Sequence, residues 1–148
     1  GAPLRPSATV CIGNPGVICA QDLSGFPTSF APEWSGTTSL EYRRALAGER
    51  PGPPLTIRAR VDLMVTDEFY TTVNGAPGSK QPSYAKLDAR LAIGRADGRW
   101  EVALVGRNLT DELYAVWYEP LVAAGPNTGY FATTARTRQL GLQLRVSY

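Results

Sequence analysis

The most informative absence from this chain of 148 residues is that of histidine. Without histidine, a Ser-His-Asp catalytic triad cannot form within the chain. Zinc binding is also poorly supported, because Cys11 and Cys19 are the only cysteines and two thiolates leave a zinc ion half-coordinated. No apolar run approaches the roughly 18 residues that a membrane-spanning helix needs. We therefore expect no enzyme activity, no metal, no cofactor and no transmembrane helix.

Concentrated charge of one sign is missing as well. The chain has 15 basic and 13 acidic residues, which give a formal net charge of +2 and are spread over many short segments. A protein that binds nucleic acid is expected to gather its basic residues on one face. Nucleic acid is therefore not an expected partner.

The two cysteines lie on either side of a turn signal. Asn14-Pro15-Gly16 between them should fold this stretch back on itself. We predict a disulfide between Cys11 and Cys19, which would imply an oxidising compartment such as the periplasm or the cell surface. Two free, buried thiols are the alternative. Thiol labelling of the denatured native protein distinguishes them, and finding both cysteines free would exclude the disulfide.

What the chain does have is a regular alternation of apolar and polar residues, clearest in its last ten. One face of this segment carries only apolar and aromatic side chains, namely Leu140, Leu142, Leu144, Val146 and Tyr148. Because a strand has period two, the alternation indicates one apolar and one polar environment. The apolar face could cover the core of a soluble sheet. Alternatively, it could face lipid in a transmembrane barrel whose lumen is polar.

Similar alternation, interrupted by turn residues, predicts five antiparallel strands. They span residues 34–46, 55–70, 84–95, 99–118 and 135–148. The phase of the fourth becomes irregular near Asn108, which we interpret as a bulge. The connections 47–54 and 96–98 are short, whereas 71–83 and 119–134 are longer. Outer-membrane β-barrels have this asymmetry, and the aromatic residues near both ends of the strands suit two interfacial girdles.

The first 33 residues differ from the rest in composition. They are rich in Gly, Pro, Ser and Thr, and we predict that residues 1–33 form an extracellular loop region that carries the cysteine pair. The strands then occupy residues 34–148. The chain has no initial methionine and no signal peptide, and it starts with residues typical of a loop. We therefore expect it to be a piece of a longer protein.

The end of the chain carries a second pattern. A polar residue is followed by glycine, by apolar residues three and five positions after the glycine, and by a final aromatic residue. These positions are Gln139, Gly141, Leu144, Val146 and Tyr148. The pattern resembles the terminal-strand signal of outer-membrane β-barrels, which implies the barrel-assembly machinery as a partner.

A longer segment resembles a known family. Residues 98–114, Gly-Arg-Trp-Glu-Val-Ala-Leu-Val-Gly-Arg-Asn-Leu-Thr-Asp-Glu-Leu-Tyr, are similar to the segment before the last strand of TonB-dependent receptors. In that family an alternating strand runs into Asn-Leu-(aromatic or Thr)-Asp and then a Tyr. Three further matches occur in the family's order, at Phe30-Ala-Pro-Glu-Trp34, at Tyr84-Ala-Lys-Leu-Asp-Ala-Arg90, and at Arg136 or Arg138. The resemblance covers the chain from about residue 22 to its end.

The resemblance implies an all-β fold in which the chain supplies about five strands of an antiparallel, up-and-down transmembrane β-barrel. Such barrels have about 22 strands and are filled by an N-terminal plug. It also implies active uptake of a scarce ligand, commonly a ferric siderophore, across the bacterial outer membrane. Five strands cannot close this barrel, and the plug is not in the chain. The expected partners are therefore outer-membrane lipid, the missing plug and remaining strands, and the TonB energy-transducing complex through the plug.

Two groups of residues are candidates for function. The first consists of charges on the polar face of the second and third strands, predicted to face the lumen: Arg58, Arg60, Asp62, Lys86, Asp88 and Arg90. Opposite charges across these strands would form an ion-pair ladder that supports the wall, at about 0.2–1 kcal/mol a pair. Contact with the plug or the ligand is the alternative. The second group consists of aromatic and polar residues suited to siderophore recognition in or beside a long loop: Tyr118, Asn127, Tyr130, Phe131 and Arg136.

Two other interpretations remain at this point. A small secreted β-sandwich, such as a carbohydrate-binding module, would also have short strands, many turns and exposed aromatic residues. It would require the apolar faces to meet in one core. A degenerate, non-transporting remnant would expose its apolar side chains and two unpaired sheet edges, and it should aggregate or oligomerise.

Overall fold

The computed structural model describes residues 10–12, 18–20, 23–46, 52–73, 78–120 and 130–148. Within these ranges the secondary structure consists of strands and turns, and no helix is long and apolar enough to cross a membrane. The strands are β1 (Val10–Ile12), β2 (Ile18–Ala20), β3 (Ser35–Leu46), β4 (Leu55–Thr66), β5 (Phe69–Tyr70), β6 (Lys80–Gln81), β7 (Tyr84–Arg95), β8 (Trp100–Arg107), β9 (Ala115–Pro120), β10 (Tyr130–Thr134) and β11 (Gln139–Val146).

The chain divides into two compact units. The sheet unit comprises Ser35–Thr66, Tyr84–Leu113 and Arg136–Tyr148. The loop unit comprises Gly1–Trp34, Asp67–Ser83 and Tyr114–Ala135. The sheet unit therefore contains the long strands, and the loop unit contains the segments that connect β4 to β7 and β8 to β11.

One antiparallel sheet of five strands forms the sheet unit. The strand order is β11-β8-β7-β4-β3, so each strand pairs with its nearest neighbours along the chain within this sheet. This up-and-down order confirms the predicted antiparallel all-β fold. The sheet is open, since β3 and β11 each pair on one side only among the residues described.

β3, β4 and β7 begin within one residue of their predicted positions. β7 spans the predicted residues 84–95, and β3 begins one residue later than predicted, at Ser35. β4 ends at Thr66, four residues before the predicted end of the second strand, and β5 follows as a separate short strand. Period-two alternation therefore locates these strands well, except where the chain passes into the loop unit.

The prediction of one long fourth strand over residues 99–118 is wrong. β8 ends at Arg107, and the next residue, Asn108, has a positive φ of 51°. β9 belongs to a different sheet, in which it pairs with β10. The irregular phase near Asn108 therefore marks the end of a strand and not a bulge. The fifth strand is shorter than the predicted 135–148, because β11 spans only Gln139–Val146. β10 lies within residues 119–134, which were predicted as a loop.

The register of the sheet places its apolar residues on one face, which we call the apolar face. One row across all five strands contains Leu40, Val61, Ala89, Gly106 and Leu140, and the next contains Tyr42, Ala59, Leu91, Leu104 and Leu142. The large side chains in these rows are exposed, for example Leu40 by 74% and Leu142 by 73%. Among the described residues the buried hydrophobic side chains are three alanines, Ala92, Ala103 and Ala115. The sheet therefore has a continuous apolar surface instead of an apolar core.

The loop unit contains three short hairpins. β1 pairs with β2, β5 with β6, and β9 with β10. In the first hairpin Cys11 lies directly opposite Cys19. Directly opposite residues have Cα atoms about 4.5–5.5 Å apart, which is within the range of about 4.4–6.8 Å for a disulfide, so the backbone register is compatible with the predicted disulfide. The side chains of these two strands and residues 13–17 lie outside the described part of the chain, and the disulfide stays a prediction.

Candidate functional site

The face of the sheet opposite the apolar face is polar, and we call it the charged face. It holds all six charged residues predicted to point into a lumen, which are Arg58, Arg60, Asp62, Lys86, Asp88 and Arg90. They share this face because each lies at an even-numbered position of β4 or β7, which pair without a register shift. The structure thus brings the first predicted group together on one surface.

The predicted ion pairs between β4 and β7 are wrong. Arg60 lies directly opposite Arg90, and Asp62 lies directly opposite Asp88. Like charges that face each other across a ladder are destabilising unless other groups compensate them. The register therefore shows that these charges need partners elsewhere.

Some of these charges form ion pairs with a residue of the same strand. Arg60 donates from Nε and Nη2 to the Asp62 carboxylate at 2.8–3.0 Å, and Ser39 Oγ on β3 donates to Asp62 Oδ1 at 2.5 Å. Lys86 Nζ lies 3.4 Å from Asp88 Oδ2 in the same way. Residues two apart on a strand share a face, so these pairs can form without a neighbouring strand.

Glu101 on β8 neutralises two further arginines of the charged face. Its Oε1 accepts a hydrogen bond from Arg90 Nη2 at 2.5 Å, and its Oε2 lies 3.7 Å from Arg58 Nη1. One carboxylate thus binds arginines from two strands. Glu101 was not among the predicted residues, although it alternates with the apolar Trp100 and Val102 and therefore lies on the charged face. Predicting its partners required the register of β8 against β7.

The charged face carries more positive than negative charge. Its basic residues are Arg43, Arg58, Arg60, Lys86, Arg90, Arg107 and Arg145, and its acidic residues are Glu41, Asp62, Asp88 and Glu101. Arg43 lies opposite Arg58. Neither Arg43 nor Arg107 has an ion-pair partner among the residues described. An excess of unpaired guanidinium groups favours contact with anionic groups.

A polar junction at Asn108 closes one end of the charged face. The Asn108 backbone N–H donates to Asp88 Oδ1 at 2.8 Å, so this carboxylate has a structural contact. The Asn108 side chain, which is 4% exposed, donates from Nδ2 to the carbonyl oxygens of Glu112 and Arg136 at 2.9 and 3.1 Å. Arg138 then donates its backbone N–H to Asp111 Oδ1 at 2.9 Å. The Asn-Leu-Thr-Asp motif therefore ties β7 to the segment that leads into β11.

The loop unit contains an aromatic cluster. The Phe30 ring stacks on Trp117 with centroids 6.0 Å apart and lies 6.1 Å from Phe69, while Phe26 lies 4.8 Å from Tyr70. The Phe30 N–H donates to the Tyr70 carbonyl oxygen at 2.7 Å, which links the segment before β3 to β5. Phe30 and Trp117 are about half exposed, so the cluster offers an accessible aromatic surface. The sequence alone predicted Phe69, Tyr70 and Trp117 as girdle residues and Phe30 as part of the family-like segment, but not their contact.

Polar contacts connect the hairpins of the loop unit. Gln81 Oε1 accepts a hydrogen bond from the Ala115 N–H at 2.8 Å and thereby links β6 to β9. Lys80 Nζ lies 2.6 Å from Glu68 Oε1, and this hydrogen-bonded carboxylate raises the pKa of Lys80. These contacts order the segments without a large apolar core.

The second predicted group is only partly brought together. Tyr118 lies in β9, and Tyr130 and Phe131 lie in β10, where Phe131 is opposite Glu119 and is 60% exposed. The side chains of Tyr118 and Tyr130, and all of Asn127, lie outside the described part of the chain. Arg136 belongs to the sheet unit, where its carbonyl oxygen accepts the hydrogen bond from Asn108 and its side chain is exposed.

The residues of the terminal pattern lie on β11 or just beyond it. Gln139 and Gly141 pair with Arg107 and Val105 of β8, on the charged face. Leu144 and Val146 lie on the apolar face and are 67% and 62% exposed. β11 is therefore an edge strand in this sheet, and its apolar side chains are not covered by any described part of the chain.

Comparison with known proteins gives one informative similarity. No protein-family model and no curated protein matches the sequence. The structure is similar to that of the ferric yersiniabactin uptake receptor FyuA from Yersinia pestis, with a TM-score of 0.60 and 19% sequence identity. The similar region covers 81% of this chain and 17% of the receptor chain. At this identity the similarity shows the fold: the open antiparallel sheet of this chain resembles part of a β-barrel receptor.

Proposed function

We propose that this chain forms part of the wall of a receptor β-barrel in the bacterial outer membrane. The apolar face would contact lipid, and the charged face would line the lumen. The observation that carries the proposal is the apolar face itself, which is five strands wide and exposed, with arginines and carboxylates on the other side of the same strands. Alternation of this kind is the pattern of a transmembrane barrel strand.

The exposed area argues against a protein surrounded by water. A soluble monomer rarely exposes a contiguous apolar patch larger than a few hundred Å². Here Leu104 and Leu140 lie in adjacent rows of neighbouring strands, and both are exposed, by 60% and 77%. The β-sandwich interpretation is not supported, because it requires apolar faces that meet in a core, and the buried apolar residues described are alanines.

The two free edges of the sheet fit the same proposal. β3 and β11 each have one unpaired side among the described residues, and unpaired edges promote aggregation in water or in lipid. In a barrel these edges would pair with further strands. The chain spans 17% of the receptor to which it is similar, so those strands, a plug and any contact with the TonB complex would belong to the rest of a larger protein.

We further propose that the larger protein takes up a scarce ligand, most simply a ferric siderophore, by energy from the TonB complex. The similar receptor is named for the uptake of ferric yersiniabactin, and that name supports this ligand class. The positive excess on the charged face would suit an anionic ligand. We propose no catalytic role for any residue.

Two experiments test the proposal. Immunoblots of fractionated cells, with an antibody against residues 119–134, should detect a protein several times larger than 15.9 kDa in the outer membrane, and its band should shift on heating. A band of 15.9 kDa in a soluble fraction would exclude the transporter.

The second experiment measures uptake. Cells that lack the gene should lose growth on one ferric siderophore of a panel under iron limitation, and the gene should restore it. The double variant Arg58→Gln, Arg60→Gln then separates the two roles of the charged face. Reduced uptake at a normal protein level would indicate ligand or plug contact, whereas unchanged uptake would leave these arginines a purely structural role.

A further inference from the structure

The apolar face is not entirely free of charge. In β3, β4, β7, β8 and β11 it carries two charged residues, Arg44 and Arg95, and no acidic residue. Arg44 lies opposite Ile57, and Arg95 lies opposite Leu55. Both are within the last two rows at the end of the sheet where the connections between strands are short. The other end of this face carries no charge.

Arg44 has an apolar setting and no ionic partner in the described part of the chain. Its row continues across the sheet through Ile57, Ile93, Val102 and Leu144. Its side chain is exposed, and no described residue forms an ion pair with it. Its neighbour along the chain, Arg43, lies on the charged face. Arg44 therefore presents an uncompensated guanidinium group at the border of an apolar surface.

Arg95 is only partly neutralised. Its Nε lies 3.4 Å from Asp97 Oδ2. Arg95 Nε is nevertheless buried and has no hydrogen-bond partner among the described residues. The same Asp97 oxygen lies 3.7 Å from Arg99 Nε, so one carboxylate serves two arginines. Trp100, half-buried and opposite Val146, lies at the same end of the apolar face. An amphipathic tryptophan beside basic residues is typical of the interface between lipid tails and headgroups.

We propose that Arg44 and Arg95 bind the phosphate groups of phospholipids in the leaflet next to the short connections. The inference rests on the proposed function, because it requires that the apolar face contacts lipid. A guanidinium group on that surface is unfavourable among acyl chains, but its flexible stem can carry it to the headgroup layer. There it can bind phosphate through two parallel N–H···O bonds. Anionic phospholipid is the expected partner because no acidic residue on this face opposes it.

The test uses the complete barrel that contains this chain, inserted into vesicles of equal parts phosphatidylglycerol and phosphatidylcholine. Native mass spectrometry of the purified protein measures the ratio of the two lipids that remain bound. The wild type should retain an excess of phosphatidylglycerol. The double variant Arg44→Gln, Arg95→Gln should lower this excess by about fivefold for each arginine. The matched control is Arg43→Gln, which removes the adjacent charge from the opposite face and should leave the excess unchanged.

Three results would overturn the inference. The first is an unchanged lipid ratio in the double variant, and the second is a decrease in Arg43→Gln as large as that in the double variant. The third is loss of the bound phosphatidylglycerol when inorganic phosphate is added, which would identify free phosphate as the ligand. A heat-shifted band for each variant shows that it has folded. If the wild type itself neither inserts nor shifts, the proposed barrel fails. If it inserts normally and only the lipid ratio is insensitive to the arginines, the lipid inference alone fails.

Discussion

The polar junction at Asn108 offers a sharp test of how the sheet is held together. Replacing Asn108 by alanine removes four side-chain hydrogen bonds. Nδ2 no longer donates to the carbonyl oxygens of Glu112 and Arg136, at 2.9 and 3.1 Å. Oδ1 no longer accepts from the Glu112 N–H at 3.1 Å or from Thr110 Oγ1 at 3.3 Å. Three of the four lost partners are backbone groups at or near the end of the sheet.

The expected loss of stability follows from these contacts. Each hydrogen bond to a backbone group contributes about 1 kcal/mol, and more if its partner stays buried and unpaired. Asn108 also has a φ of 51°, in a left-handed region that asparagine tolerates and alanine disfavours by about 1 kcal/mol. Asn108→Ala should therefore cost about 4 kcal/mol. Asn108→Gly loses the same hydrogen bonds without the backbone strain and should cost about 1 kcal/mol less.

The assay is the temperature at which the band of the purified barrel shifts on an unheated gel, together with amide hydrogen exchange of Glu112. Asn108→Ala should lower the temperature most, Asn108→Gly should lower it less, and both should accelerate exchange at Glu112. The exposed Gln143 on β11 provides a matched control, since Gln143→Ala removes a polar side chain without a described hydrogen bond. A shift temperature and exchange rate for Asn108→Ala equal to those of the wild type would refute the reasoning.

Two further predictions concern packing and charge in the sheet. Gly94→Ala should lower the shift temperature, because its Cβ would lie 2.6 Å from the Trp100 carbonyl oxygen and the backbone would have to move, at about 1–3 kcal/mol. Gly141→Ala, with nothing within 4 Å, should leave it unchanged, and equal temperatures for the two variants would contradict the packing. Arg90→Gln removes the contact with Glu101, yet it should lower the stability by less than about 1 kcal/mol because the Arg90 side chain is 33% exposed. A loss of stability several times larger in the same assay would show that the ion pair is essential to the sheet.

The long strands could be predicted from sequence because their two faces meet different environments. In β4 every second residue is apolar over all twelve positions, and in β7 the same alternation runs from Ala85 to Ile93. The connection after β3 was equally clear, since residues 51–54 include three prolines and proline cannot donate to a ladder. This local information was enough for the antiparallel, up-and-down order of the sheet.

The end of β8 could not be predicted in the same way. Apolar residues such as Leu109 and Leu113 continue beyond it, so the composition still favours a strand. What ends the strand is the left-handed conformation of Asn108 and its hydrogen bond to Arg136, which is 28 residues away. A contact at this separation leaves no mark in the local pattern.

The sequence predicted which charged residues share a face, but it did not predict which of them form ion pairs. Alternation placed Arg60 and Asp62 on one side, whereas the partner of Arg90 depends on how far β8 is displaced along β7. A one-residue change of register would move Glu101 to the other face. The aromatic cluster around Phe30 was missed for a similar reason, because it joins segments that are far apart in the chain.

The central claim is that the apolar face contacts lipid while the charged face contacts water. The most direct measurement places a spin label at Leu142 and, separately, at Gln143, neighbours on β11 that lie on opposite faces. In the complete barrel in vesicles, collisions with lipid-soluble oxygen and with a water-soluble nickel complex are compared by electron paramagnetic resonance. We expect the label at position 142 to be more accessible to oxygen and the label at 143 to the nickel complex. Equal exposure of both positions to the nickel complex, or protection of position 142 from both reagents, would contradict the claim.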